Sequence, residues 1–299
     1  MSATIDTPEN KPSENPTDPP LSAGDTDPLF AEAFPNGDIL LISRDEVRFP
    51  ISSSTLRRTS GWFKSAFTLP QSPATGTPEP ISMDEPAPVL ASLLSLIAAL
   101  GIPDPSDLDH LEAVAFAADK YDMPMPLAVL RELLARHVPA APLRVYGLAS
   151  RLGWTADAAR ALRAALAVNV FAPPHAGELA RLDAPALAAL LAVLERRRAA
   201  LAEKLESETL FTANLWRRRC VTARCGELED HTTWWAFKLA WVREPWRFFG
   251  LRDGGTVMWE VPELQTLLRD TCVGCKRQLY SEESTLENLR EIARGLPEE

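Results

Sequence analysis

One short stretch near the N-terminus constrains the fold of this chain more than any other. A run of four apolar residues, Ile39–Ile42, predicts a strand that is covered on both faces. Apolar residues then alternate along 47–51, which predicts a partner strand joined through the polar turn at 43–46. Serines at 52–54 supply helix N-cap candidates, and apolar side chains recur at helical intervals as far as Phe67. Two strands that lead directly into an amphipathic helix build an interaction surface and leave no place for bond-making chemistry.

Composition and charge set the broad class of the protein. The chain has 299 residues, of which 46% are hydrophobic, and this is enough for one large core or for two to three smaller ones. The net charge is −10, but residues 1–34 contain seven acids and one lysine and so account for −6 of it. Because the remainder is only mildly acidic, we do not expect a nucleic-acid groove.

The sequence also bears on the compartment. No run of about 18 apolar residues is free of charges or prolines, so a membrane span is not expected. Met1 does not begin a basic and then apolar signal segment. Four cysteines are too few for a secreted disulfide scaffold. We therefore expect a reducing compartment, either the cytoplasm or the nucleus.

Four stretches of different composition follow one another along the chain. Residues 1–34 are acidic and proline-rich with almost nothing apolar to bury, which predicts a disordered tail. Residues 35–140 combine short strands with helices. Residues 141–208 are rich in Ala, Leu and Arg and predict an all-α connector. Residues 209–299 hold six of the eight tryptophans and all four cysteines, which indicates a separate small domain. The predicted fold class is α+β.

Helical segments are indicated by apolar periodicity and by capping residues. We predict a third strand at 81–83, then helices at 88–100, 111–121 and 127–137, with Pro124 and Pro126 as a break before the last. In the connector we predict helices at 146–152, 156–169 and 184–205. Asp183 is the expected cap of the last one, and its leucine stripe predicts core packing, with a seam for a partner helix as the alternative.

The N-terminal stretch also carries residues in the order found in a known family. Asp38 opens the first strand, Phe49 lies in the second, and residues 112–121 read Glu-Ala-Val-Ala-Phe-Ala-Ala-Asp-Lys-Tyr. The further matching positions are Leu56, Ser60, Phe63, Phe67, Ile81, Leu93 and Leu94. On these residues the chain from 37 to about 138 resembles the BTB/POZ family. The whole chain, with its cysteine-bearing end, is similar to the uncharacterised BTB-containing proteins of mushroom-forming fungi.

The resemblance implies a BTB/POZ-like fold for residues 35–140, with self-association or adaptor-type partner binding as the activity. In many members the family also recruits a cullin ubiquitin ligase, and a link to transcriptional regulation is a further possibility that the resemblance implies. Two departures bear on this. Ser52 and Ser53 stand where a His-Lys pair is common, and residues 98–101 replace a usual Tyr-Thr-Gly. Cullin binding is therefore left open.

Large apolar side chains on the first helix are more numerous than a solitary three-stranded unit can bury. We therefore predict Trp62, Phe63 and Phe67 as partner-binding residues. The alternative is that all three enter one core, and this alternative applies more strongly to Phe63 and Phe67 than to Trp62.

The four cysteines form two closely spaced pairs. Cys220 and Cys225 are separated by four residues, and Cys272 and Cys275 by two, with 46 residues between the pairs. Each short turn can direct two thiolates at one ion, which predicts a structural zinc ion held by all four. Four sulfur ligands would close the site, so no catalytic role is expected for the metal.

Alternatives to this zinc site remain open. The cysteines can be reduced, buried thiols without metal, or His231 can replace one of them. A redox pair within 272–275 is disfavoured because no thioredoxin-like strand precedes it. Gly226 and Gly274 favour the metal reading, because they let the backbone turn tightly beside the sulfurs.

Aromatic residues lie between and beside the two cysteine pairs. We predict that those between the pairs form a small core around the metal site: Trp234, Trp235, Phe237, Trp241, Trp246, Phe248, Phe249 and Trp259. The alternative is a stacking platform for nucleic acid, built from Trp234, Trp235 and Trp241 and helped by arginines at 217–219 and by Arg243. That alternative defines a second functional hypothesis, a zinc-dependent nucleic-acid or transcription-associated protein.

Catalytic motifs are missing from the sequence. It contains no Gly-x-Ser-x-Gly, Gly-x-Gly-x-x-Gly, phosphate-binding Gly-Lys-Ser/Thr or His-Glu-x-x-His. We therefore predict that the protein is not an enzyme, that it has no catalytic residues, and that it works through protein–protein interaction.

Overall fold

The protein, seen in a computed structural model, is described over residues 25–69, 80–215, 219–222, 224–247 and 261–298. These residues form helices and a small sheet, so the predicted α+β class is confirmed. The chain divides into two compact units, Met1–Arg131 and Glu132–Glu299. The predicted connector (141–208) and the predicted Cys/Trp-rich domain (209–299) both lie within the second unit.

The sheet of the first unit has three strands in the order β2-β1-β3 over the described residues. Strands β1 (Ile39–Ile42) and β2 (Arg48–Ile51) pair antiparallel, with Leu41 opposite Phe49. Strand β3 (Ile81–Ser82) pairs parallel to β1. All three strands lie where the hydrophobic pattern predicts them, although only Leu41 in β1 is fully buried, so the expectation of burial along the whole strand is wrong.

Helix α1 (Pro28–Ala33) corrects the prediction of a disordered tail as far as residue 34. Asp27 caps it by accepting hydrogen bonds from the N–H groups of Leu29 and Phe30. Phe30 is fully buried and packs edge-on against Phe49, with ring centroids 5.3 Å apart. This aromatic contact and the backbone hydrogen bonds that residues 25–27 make with Arg48 of β2 anchor the short helix on the sheet. Residues 1–24, the rest of the predicted tail, lie outside the described residues.

The predicted first helix is divided into α2 (Ser53–Thr59) and α3 (Gly61–Ala66). Ser60 stands at the break, where its Oγ accepts from Phe63 N at 3.1 Å and donates to Tyr121 O at 2.6 Å. A Cβ on Gly61 would lie only 1.8 Å from Asp122 Oδ2, so a side chain there would force the Asp122 carboxylate to move. The helix is therefore broken by contacts with a segment about sixty residues away.

Three longer helices follow: α4 (Ala87–Ala98), α5 (Leu108–Lys120) and α6 (Pro124–Ala135). The two prolines that were expected to break the chain before residue 127 instead lie in the first turn of α6. A helix tolerates proline at that position, because the first-turn N–H groups have no partner within the helix. The boundary between the two units falls within α6.

Helices make up most of the second unit as it is described. They are α7 (Pro142–Arg151), α8 (Thr155–Ala165), α9 (Ala176–Arg181), α10 (Ala184–Leu205), α11 (Thr232–Arg243), α12 (Pro262–Leu268) and α13 (Glu282–Arg294). The predicted limits of α10 are correct, and Asp183 caps it by accepting from Ala186 N at 2.8 Å. None of the helices in the described part of the chain is both long enough and apolar enough to cross a membrane.

Helix α10 takes part in two hydrophobic clusters of the second unit. Its residues Leu190 and Val193 pack with α7 and α8. Nearer the C-terminus of α10, Leu201 and Leu205 pack with residues of α11, α12 and α13, among them Trp234. Part of the predicted leucine stripe is therefore core, while other members, such as Leu191, are exposed. The cysteine-bearing segment shares its core with α10.

Candidate functional site

The four cysteines lie together in the second unit. Their sulfur atoms are all within 4.8 Å of one another, with Cys220 and Cys275 at 3.6 Å and Cys225 and Cys272 at 3.5 Å. Sulfurs bound at about 2.3 Å to one tetrahedral zinc ion are about 3.8 Å apart. The predicted grouping is confirmed, and the four sulfurs can hold a metal ion.

Two loops of equivalent design position these sulfurs. In the first, Arg219 pairs with Leu228, and in the second, Thr271 pairs with Gln278. Each bridge joins the residue before the first cysteine to the third residue after the second cysteine. The first cysteine of each pair also donates its N–H to the carbonyl of the second residue after the pair, at 2.9 Å in the first loop and 2.8 Å in the second. Each loop thus closes into a short hairpin that turns two sulfurs to one point.

Backbone conformation at the end of each loop is also equivalent. Gly226 has a φ of 69° and Lys276 a φ of 62°, and each directly follows the second cysteine of its pair. Gly274 is needed for a different reason, because a Cβ there would lie 3.0 Å from the sulfur of Cys225 and 2.7 Å from Cγ of Glu227. Both glycines that the sequence singled out therefore stand beside the sulfurs.

The surroundings of the sulfurs set their protonation. Hydrogen bonds from the side chain and backbone of Thr222, with a further one from Arg277, lower the pKa of Cys220 to about 6 against the effect of burial. The Glu227 N–H lowers the pKa of Cys225, but burial and hydrogen bonds with the other cysteines outweigh it and raise the pKa to about 12. Thiolates at this distance repel one another, and a bound cation is what lets all four ionise together.

Two residues beside the cluster were not found from the sequence. The guanidinium of Arg277 donates to Glu229 at 2.7 Å, and Thr222 Oγ1 lies 3.5 Å from the Cys275 sulfur. Both follow a cysteine by two positions, and that spacing is the signal that could have identified them. They orient the loops and hydrogen-bond to the sulfurs, as residues around a metal site commonly do.

His231 is not part of the cysteine cluster. Its Nδ1 lies 2.7 Å from the Tyr280 hydroxyl and its Nε2 lies 3.7 Å from Glu229. The group that can hold a metal consists of the four cysteines, among the residues that the structure describes. The alternative in which this histidine replaces a cysteine is therefore not the arrangement found.

Most of the described aromatic residues near the cysteine pairs belong to the core. Trp234, Phe237 and Trp241 are buried, and the indole N–H of Trp234 donates to Asn214 at 2.8 Å. The core interpretation is confirmed for these three, and the stacking-platform alternative is wrong for both tryptophans among them. Trp235 is 48% exposed. Trp216, Phe248, Phe249, Trp259, Arg217 and Arg218 lie outside the described residues.

The predicted partner-binding residues differ in exposure. Trp62 is 42% exposed, and its ring packs edge-on against Phe63 at 4.7 Å and Tyr121 at 5.5 Å. Phe63 is fully buried, so its assignment as a partner contact is corrected to a core role. Phe67 is partly buried beneath the guanidinium of Arg57, which lies 5.2 Å from the ring centroid.

A short polar contact ties the first strand to helix α2. Asp38 accepts hydrogen bonds from Ser53 N at 2.7 Å and from Ser53 Oγ at 2.5 Å. These bonds lower the pKa of Asp38. The contact between Asp38 and Ser53 could not be predicted from the sequence, because fifteen positions separate the two residues.

Comparison with known proteins adds no assignment. No protein-family model matches the chain, and no curated protein is significantly similar to it. The likeness to BTB/POZ domains therefore rests on the residues quoted above.

Proposed function

We propose that the first unit is a BTB/POZ-like protein-interaction module and that the four cysteines hold a structural zinc ion in the second. The exposed Trp62 is the observation that carries the interaction role. A tryptophan with 42% of its surface exposed is a large apolar group in water, and tryptophan is enriched among the residues that dominate binding energy.

The setting of Trp62 supports a binding role. The rings of Phe63 and Tyr121 pack edge-on against its indole, so the orientation of the indole is fixed in the unbound protein. A side chain that is already ordered loses little conformational entropy when it binds. Phe67, at the end of the same helical segment, is only partly buried.

The order of elements supports the BTB/POZ-like assignment. The resemblance requires two strands, helical residues, a short third strand and then further helices, and this is the order from β1 to α6. Ser53, at a position where the family commonly has lysine, is bonded to Asp38. Self-association or binding of another protein is therefore the proposed activity, and cullin recruitment is not included in it.

Zinc is the proposed metal because of the ligand set. Tetrahedral sites made of four thiolates bind zinc or iron, and closed four-cysteine zinc sites are structural. The two loops lead into α11 and α13, so the ion would hold together segments that enter one hydrophobic cluster.

Replacing Trp62 tests the interaction role. In the Trp62→Ala variant of the full chain, we expect self-association, or affinity for a captured partner, to fall by about tenfold or more. Sedimentation velocity over a concentration series measures the first quantity, and affinity capture with quantitative mass spectrometry measures the second.

The matched control is Trp235→Ala, since Trp235 is a similarly exposed tryptophan, in the second unit. It should associate as the wild type does. A wild-type chain that is strictly monomeric and captures no partner would contradict the proposal, and so would equal effects of the two substitutions.

A further inference from the structure

A cavity in the second unit has the size and lining of a small-molecule site. It has a volume of about 680 Å³ and lies between the segment 166–171 that follows α8, the middle of α10 and the end of α11. Pockets for small ligands are typically about 300–1,000 Å³. None of its lining residues is a cysteine of the metal cluster, so this site is independent of the proposed zinc ion.

Apolar side chains form most of the cavity wall. Of the residues that line it, Leu166 and Val170 are buried from solvent, and Leu194, Val242 and Trp246 are partly buried. Phe171 and Leu191 extend this wall and are 63% and 41% exposed. An apolar chain placed here would exclude water from these side chains, at about 25 cal/mol for each Å² buried.

Positive charge lies on the same wall. Among the described residues that line the cavity, three are arginines and one, Glu195, is an acid, so this described lining carries 3 − 1 = +2 in a chain whose net charge is −10. Arg197 is only 4% exposed, and its Nη1 donates to Pro297 O at 3.1 Å. Arg198 and Arg243 are exposed, with Arg198 3.8 Å from the solvated Glu195.

We propose that this cavity binds an amphipathic monocarboxylate, a molecule with an unbranched apolar chain and one terminal carboxylate. The chain would lie along Leu194, Val242 and Trp246. The carboxylate would bind Arg198 and Arg243, because the planar guanidinium group matches a carboxylate with two parallel hydrogen bonds. This inference goes beyond the proposed interaction function and does not depend on it.

Calorimetric titration of the full chain with sodium decanoate tests the site, with decanol and decyltrimethylammonium as probes of equal chain length. We expect saturable binding of one decanoate per chain and clearly weaker binding of the neutral and cationic probes. The double variant Arg198→Ala/Arg243→Ala should lose about tenfold or more in decanoate affinity, since a charge-assisted hydrogen bond contributes more than a neutral one. Leu191→Glu, which adds a carboxylate to the apolar wall, should lose a similar factor.

The control is Arg160→Ala/Arg181→Ala, which removes the same charge from exposed positions of the second unit that do not line the cavity. It should bind decanoate as the wild type does. Three results would overturn the proposal: no saturable decanoate binding, equal binding of decanol, or equal affinity of the two double variants.

Discussion

At the scale of single residues, Gly274 is the position where the four-cysteine cluster depends most on the absence of a side chain. A Cβ built on Gly274 would lie only 3.0 Å from the sulfur of Cys225. The chain around it could relieve the contact only by moving the sulfur or Glu227, whose Cγ would be 2.7 Å away. The geometry of the four sulfurs is therefore coupled to this one glycine.

We expect Gly274→Ala to weaken zinc affinity by about tenfold or more, which is the size of effect that residues supporting metal ligands commonly have. Competition with a chromogenic chelator measures the affinity. Gly177→Ala is the control, because a Cβ at Gly177 meets nothing within 4 Å and alanine favours the helix in which it lies. Equal zinc affinity of the two variants would show that the close approach at residue 274 is unimportant.

At the scale of elements, the break between α2 and α3 depends on Ser60. This residue is buried, caps α3 and donates to the carbonyl of Tyr121, which precedes the turn before α6. One hydroxyl thus satisfies groups on two segments that are far apart in sequence. Removing the hydroxyl lowers stability, because the Tyr121 carbonyl and the Phe63 N–H would then stay buried without a hydrogen-bond partner.

Ser60→Ala should lower the free energy of unfolding of the first unit by about 1–3 kcal/mol, from loss of the cap and of the bond to Tyr121. Urea denaturation of the full chain, followed by the fluorescence of a unit-specific label, measures it. Ser65→Ala is the matched control on the same helix, where the side chain is exposed, and it should change stability by less than about 0.5 kcal/mol. If both variants unfold alike, the bridging role of Ser60 is wrong.

Elements whose signals are local could be predicted from the sequence. Helix α10 has its cap at Asp183 and a proline in its first turn, so its limits follow from neighbouring residues. Helix α1 and the break at Ser60 could not be predicted, because Phe30 is anchored by Phe49 and Ser60 by Tyr121. The same applies to the candidate site: spacing identifies the four cysteines, whereas the contact between Arg277 and Glu229 spans 48 positions.

At the scale of the whole molecule, the two units differ in architecture and in what is expected to stabilise them. The first is built on a sheet with helices and presents Trp62. The second is helical, and the loops that bear its cysteines lead into helices of one hydrophobic cluster. Binding of a structural zinc ion to such a site contributes about 10–16 kcal/mol in small zinc domains. The metal is therefore expected to determine whether the end of the chain folds.

Metal content is the measurement that tests this account most directly. The intact chain, purified without chelator, and two variants, Cys220→Ser/Cys225→Ser and Cys272→Ser/Cys275→Ser, are analysed by inductively coupled plasma mass spectrometry. We predict one zinc ion per intact chain and none in either variant, because each loop supplies two of the four ligands. An intact chain without metal, or a pair variant that keeps its zinc, would contradict the account.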